Sequence, residues 1–163
     1  MARTRLAQPP RVHPRQMVNF ATAFACRELR LRQFRNFPEL DVHFPAAGVA
    51  VVGDNGSGKS NLLEALYYLE IFRSFRGATD EQLVRFGADA LFIRGRFEEV
   101  GSGRVHEITA AFEPRTRRKR VTIDGAEPDR LADAIGRLGA VIFSPSDMAI
   151  VGGPPGERRR FLD

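Results

Sequence analysis

The sequence is short of cysteine, lysine, histidine and long apolar runs, and each shortage narrows what the chain can be. Its single cysteine, Cys26, excludes an internal disulfide and a four-cysteine zinc site. A reducing, cytoplasmic setting fits that usage. No apolar stretch approaches the roughly 20 residues that a membrane-crossing helix needs. His13, His43 and His106 are scattered with few acids beside them, which argues against a metal centre. Lysine occurs only at Lys59 and Lys119, in a chain whose other basic residues are all arginine. Lys59 therefore marks a place where a compact point charge is used in preference to a planar fork.

What is present is a globular balance. The 163 residues are 43% hydrophobic and 28% charged, enough for one domain or a single lobe of something larger. The formal net charge of +5 sits in one place. Met1–Arg27 holds Arg3, Arg5, Arg11, Arg15 and Arg27 and no acid, whereas the remaining 20 basic residues face 20 acids. The body is neutral, so the high pI alone does not argue for nucleic acid. Residues 1–24 contain Pro9, Pro10 and Pro14 and no periodicity, and read as a poorly ordered basic extension. A transit peptide, or a true start at Met17, are the other readings; the apolar core of a secretory signal is missing.

The body, residues 25–163, alternates strand and helix signals. Glu28–Phe34 and Leu40–Phe44 alternate apolar and charged residues across a turn at Arg35–Pro38, which predicts an antiparallel pair. Val49–Val52 is apolar on both faces, as a central parallel strand should be. Asn61–Phe72 predicts a helix with Leu62, Leu66 and Leu69 on its buried stripe, joined by Leu63 and Tyr67. A short helix is expected near Asp80–Phe86, strands at 90–97, 105–112 and 120–123, a helix at 129–138 and a buried strand at 140–143. Ser144–Asp147 reads as a cap, and Pro154–Asp163 as the opening of a further helix.

Between the apolar strand and the Leu-rich helix lies Gly53-Asp-Asn-Gly-Ser-Gly-Lys-Ser60, a P-loop in its proper context. Backbone N–H groups of Gly53, Asp54, Asn55, Gly56, Ser57 and Gly58 can form an anion-binding nest, and the helix start adds unpaired N–H groups. Lys59 suits the β- and γ-phosphates, and the Ser60 hydroxyl suits Mg²⁺. Binding is not hydrolysis. No apolar strand here ends in the aspartate that would hold Mg²⁺ from the far side: Ala140–Phe143 is followed by Ser144, and Asp124 closes a short strand beside a turn. The sequence therefore predicts weak ATP binding and negligible turnover.

Phe34-Arg-Asn-Phe37, the loop through Asn61, Arg73-Ser-Phe-Arg76, Val84-Arg-Phe-Gly87, Phe143–Asp147 and Glu157–Asp163 together resemble the RecF family of recombination-mediator ATPases, relatives of the SMC proteins. The resemblance runs from about Glu28 to Asp163. It implies the α/β fold of an ABC-type ATPase head, specifically the N-terminal part of lobe I with mixed parallel and antiparallel sheets. It implies ATP and Mg²⁺ at Gly53–Asn61, with Arg35 and Asn36 near the nucleotide. It puts the signature motif and Walker B beyond Asp163. SMC relatives carry a γ-phosphate-sensing glutamine near position 144; this chain has none, so that role falls to Ser144 or Asp147. The family acts as an ATP-dependent homodimer, binds DNA at gaps and single-strand/double-strand junctions, and cooperates with RecR.

Two basic clusters are candidates for DNA contact. Arg73 and Arg76 flank Phe75, and Arg115, Arg117, Arg118, Lys119 and Arg120 crowd a predicted hairpin turn. The bland reading of each is a solvated face. Tyr67 and Tyr68 read as helix packing. Two rival functions stay open: a different P-loop enzyme, such as a kinase or a transporter ATPase subunit, and a non-catalytic truncated product with a vestigial loop.

Overall fold

The computed structural model describes residues 23–143. Residues 1–22 of the expected 1–24 extension, the Ser144–Asp147 cap with the sensor positions inside it, and the expected C-terminal helix lie outside the described residues; Phe24, counted in that extension, already opens the first strand. Five strands form one antiparallel sheet: β1 (Phe24–Phe34), β2 (Phe37–His43), β3 (Leu91–Glu99), β4 (Val105–Glu113) and β5 (Arg118–Ile123), in the order β2-β1-β3-β4-β5. The β1–β2 pair sets Leu31 opposite Leu40 and Phe34 opposite Phe37. The turn between them is only Arg35-Asn36, so Phe37-Pro38 already belongs to the strand.

Helix α1 (Lys59–Ile71) lies across one face of the sheet. Its Leu62, Ala65, Tyr68 and Leu69 join Leu29, Leu31, Phe34, Ile93, Ile108, Ala110 and Val121 in a single core. Gly95 on β3 makes the close approach possible. A Cβ there would come within 2.6 Å of Leu69 Cδ1 and 2.5 Å of the Phe97 ring. Leu62 and Leu69 are buried as expected, but the rest of the stripe is rotated. Leu66 and Tyr67 are half-buried and Leu63 is 48% exposed, all three lining an apolar groove of about 420 Å³ together with Phe24, Cys26, Phe97 and Leu138. Ala65 and Tyr68 take the buried places instead.

Helix α2 (Asp80–Leu83) opens with a capping box, Thr79 and Gln82 each satisfying the other's backbone N–H. The chain then runs beside β1, with Arg35 N donating to Leu83 O (2.8 Å) and Arg85 N to Gln33 O (2.8 Å). The expected helix at 129–138 is one 3₁₀ turn, Leu131–Ala134. Gly136 and Gly139, both at positive φ, break the helical course. Glu70 of α1 fastens this segment: its carboxylate accepts from Leu138 N (2.9 Å) and Ala140 N (3.3 Å).

Two expected strands do not form. Val49–Val52 and Ala140–Phe143 carry no strand pairing among the described residues, and Val52 (88% exposed) and Phe143 (80%) lie open. A parallel strand needs a hydrogen-bonding neighbour and cover on both faces. Among the described residues neither run has them, and every sheet pairing is antiparallel.

Candidate functional site

The P-loop leaves the 49–52 segment and turns into α1 through glycines at positive φ: Gly53 (155°), Gly56 (85°) and Gly58 (104°). Gly58 is the one that packing also demands. A Cβ there would lie 2.6 and 2.8 Å from the Asn36 amide and 2.8 Å from the Phe37 ring. The tip of the β1–β2 hairpin is pressed against the loop, and Asn36 Nδ2 donates to Ser57 O (3.3 Å). Gly58 is also the N-cap of α1. It supplies no side-chain acceptor, and no acid occupies the first turn, so the donors of the helix start are left for a ligand.

Asn55, Gly56, Gly58, Lys59, Ser60, Asn61 and Arg76 line a cradle of about 300 Å³. The Lys59 ammonium bends back over the loop and donates to Gly53 O (2.6 Å) and Asp54 O (2.7 Å). Both acceptors are neutral, so the positive charge is held at the loop without being cancelled. The residues fit a triphosphate with a divalent cation: a glycine-framed backbone, two cations, and the Ser60 hydroxyl at the wall.

Behind the cradle lies a carboxylate that the sequence reading passed over. Glu64, on α1, is 0% exposed. Arg35 grips it with both arms of its fork, Nε to Oε2 at 2.9 Å and Nη2 to Oε1 at 2.8 Å. Ser74 Oγ donates to Oε1 (2.5 Å), and Arg76 Nη1 lies 3.5 Å from Oε2. Burial alone would raise this carboxyl. The hydrogen bonds from Arg35 and Ser74 and the charges of Arg35 and Arg76 outweigh burial and hold it below its ordinary value. On the expected stripe of Leu62, Leu66 and Leu69, Glu64 falls on the opposite face of the helix, so its burial carried no signal in the sequence.

Arg35 is therefore spent on Glu64 and on Gln82 O (3.2 Å), and does not line the phosphate cradle. Asn36 does approach the loop. It also accepts from Asn61 Nδ2 (2.8 Å), whose Oδ1 in turn accepts from Arg76 Nη1 (3.0 Å). Arg76, read above as a DNA contact, stands at the cradle.

The second basic cluster is similarly divided. Lys119 is only 23% exposed. It pairs with Asp80 (2.7 Å) and donates to Phe72 O (2.7 Å) at the end of α1, above the Tyr68 ring. Tyr68 donates to the same Asp80 (2.8 Å), and burial with that bond raises its phenol. Lys119 thus locks β5 to the helix, where a cation also meets the negative end of the helix dipole. Arg117 pairs with Glu81 and Arg120 with Glu127, both in solvent. Arg118 and Arg73 have no ion-pair partner among the described residues.

Comparison with known proteins places this geometry. Residues 49–133 match a family described as "AAA domain, putative AbiEii toxin, Type IV TA system". The chain belongs to this AAA-domain family. The matched stretch holds the whole cradle, Glu64, Ser74 and Arg76. The RecF resemblance is borne out as well. The chain is 39% identical over 136 residues to the DNA replication and repair protein RecF of Halalkalibacterium halodurans, covering 83% of this chain and 35% of that protein. It superposes on the structure described as the recombination mediator protein RecF with ATP in the RecFOR pathway. There the TM-score is 0.76 at 31% identity, over 87% of this chain and 39% of that one. A structure described as "Structural biochemistry of ATP-driven dimerization and DNA stimulated activation of SMC ATPases" superposes with a TM-score of 0.68 at 19% identity. It covers 85% and 97% of the two chains and speaks for the fold alone. The fold of this AAA-domain chain is thus the α/β ATPase head expected from its motifs. It spans about a third of the length of the curated relatives it matches.

Proposed function

We propose that this chain binds ATP with Mg²⁺ in the Gly53–Asn61 cradle, as the nucleotide-binding part of a RecF-like recombination mediator acting in DNA replication and repair. The observation that carries the reading is the cradle itself: three positive-φ glycines, an uncapped helix start without acids, and two cations converging on one concave surface. Backbone N–H groups of Gly53 to Gly58 hold the phosphates, Lys59 neutralises them, Ser60 ligates the cation and Asn61 closes the wall with Asn36. When bound, Mg²⁺ supplies charge neutralisation and orients the phosphate oxygens. Arg73, Arg117, Arg118 and Arg120 offer phosphate contacts to a DNA backbone near a single-strand/double-strand junction. In the whole protein, ATP drives a homodimer on DNA, and a RecR-like protein is its partner. Among the described residues no helix is long and apolar enough to cross a membrane. The cytoplasm is the setting proposed for the protein.

Thermal unfolding with and without ATP and Mg²⁺ tests the reading. Ligand at about 100 times Kd stabilises a binder by about 2.7 kcal/mol. For a domain of this size that raises Tm by roughly 5–10 °C. Lys59→Ala removes the shift. A shift that survives Lys59→Ala, or no shift in the unaltered chain, defeats the assignment. Turnover by this chain is expected to be negligible; a rate near 1 s⁻¹, well within the ordinary enzyme range, would contradict that.

A further inference from the structure

Glu64 is an odd residue to bury. Sealing a carboxylate in a core is costly unless its charge and lone pairs are all answered, and an apolar side chain would pack α1 against the sheet without that demand. Its partners show what the demand obtains. Arg35 takes both oxygens from the hairpin side. From the other side Glu64 reaches Arg76 by two routes. Directly, Oε2 faces Arg76 Nη1 at 3.5 Å. Indirectly, Ser74 Oγ donates to Glu64 Oε1 and accepts from the Arg76 backbone N–H (3.0 Å), fixing the chain just where Arg76 leaves it. Arg76 Nη1 also donates to Asn61 Oδ1 at the cradle wall. No further hydrogen bond from this guanidinium falls among the described residues, and the side chain is 45% exposed.

We infer that Glu64 is a positioning residue for nucleotide binding: it holds Arg76 at the rim of the phosphate cradle from behind. Resting on the nucleotide-binding reading, the inference adds a residue that never touches the ligand. A free arginine on the loop after α1 would sample many rotamers. Tied at its backbone through Ser74 and at its fork by Glu64 and Asn61, it presents its remaining donors in one place, ready for a planar, bidentate grip on phosphate oxygens. Arg35 completes the clamp by keeping the carboxylate itself from turning.

A double-mutant cycle on ATP·Mg²⁺ affinity tests this, measured by calorimetry on the 163-residue chain. Glu64→Gln and Arg76→Ala are each expected to weaken binding about tenfold, the scale of one charge-assisted hydrogen bond. Because the first acts through the second, the double variant should also lose about tenfold, not a hundredfold. A purely structural Glu64 would give independent, multiplying losses, and that result overturns the inference. So does a Glu64→Gln chain that binds within about twofold of the unaltered one. Ser74→Ala leaves the buried ion pair in place and serves if Glu64→Gln unfolds: it should weaken binding about threefold, and not at all once Arg76 is alanine. If the unaltered chain fails to bind, or Lys59→Ala binds as well as it does, the nucleotide reading falls and takes this inference with it.

Discussion

Leu29, Leu31, Ile93 and Ile108 are buried to 2% exposure or less, whereas Val49, Val52, Val141 and Phe143 lie between 58% and 88% exposed, although both groups come from β-prone apolar runs. The difference is in neighbours. The first group sits on strands whose backbones are paired on both sides and whose inner face is closed by α1. The second has no such partners among the described residues. Apolar composition is a reason to be buried but not a place to be buried; the place is made by hydrogen-bonded neighbours and a covering layer.

The sharpest way to probe this contrast is to cut one residue from each side. Leu69→Ala opens a cavity between α1 and Gly95 and should cost about 2–5 kcal/mol. Val52→Ser should stay within about 0.5 kcal/mol in the same chain. Urea unfolding of both variants measures the gap, and equal losses would show that 49–52 is packed after all.

Next in size is the polar seam behind the cradle. Arg35→Ala leaves Glu64 buried without its main partner and should cost about 3 kcal/mol, read as a lower urea midpoint. Acid acts on the same seam. The folded Glu64 carboxyl lies below its ordinary value of 4.5. Its contribution is therefore fully present above that pH and is lost as pH falls through the lower, folded value. Stability measured from pH 7 downward should decline below about pH 5, and less steeply in Glu64→Gln. A decline of equal slope in both chains would assign the acid sensitivity elsewhere.

The smallest effects separate the residues of the basic hairpin. Lys119→Met loses charged bonds to Asp80 and Phe72 O and should cost about 1–2 kcal/mol. Arg118→Ala should leave stability within about 0.5 kcal/mol. If DNA is bound there, it should instead reduce the salt slope of that binding by about 1. Finding the two roles exchanged would undo the division of this cluster.

Much of this was legible beforehand, and the misses have a common cause. Alternation located all five strands, and the Gly53–Ser60 spacing located the cradle, because both depend on neighbours close in sequence. Tyr68 was rightly read as helix packing. The strands at 49–52 and 140–143 were misread because their stability hangs on distant partners that no local pattern reports. Clustered charge pointed to DNA contacts at Arg76 and Lys119, and the family resemblance put Arg35 near the nucleotide. Their actual acceptors, Glu64, Asn61, Asp80 and Phe72 O, lie on other elements and emerge only once the chain is folded. The rotated stripe of α1 has the same origin: the strands that cover Ala65 and Tyr68, and the groove that leaves Leu63 and Tyr67 partly open, are built from residues remote in sequence.

The contact between the hairpin tip and Gly58 carries a last consequence. Asn36 and Phe37 occupy the space where any side chain at position 58 would stand, so the loop's contour is moulded by the sheet's outermost pair of strands. The same ribbon reaches across the rim: Asn36 holds Asn61, and Asn61 holds Arg76. A guest therefore meets a receptor whose outline is set before it arrives, and little ordering cost is left for binding to meet.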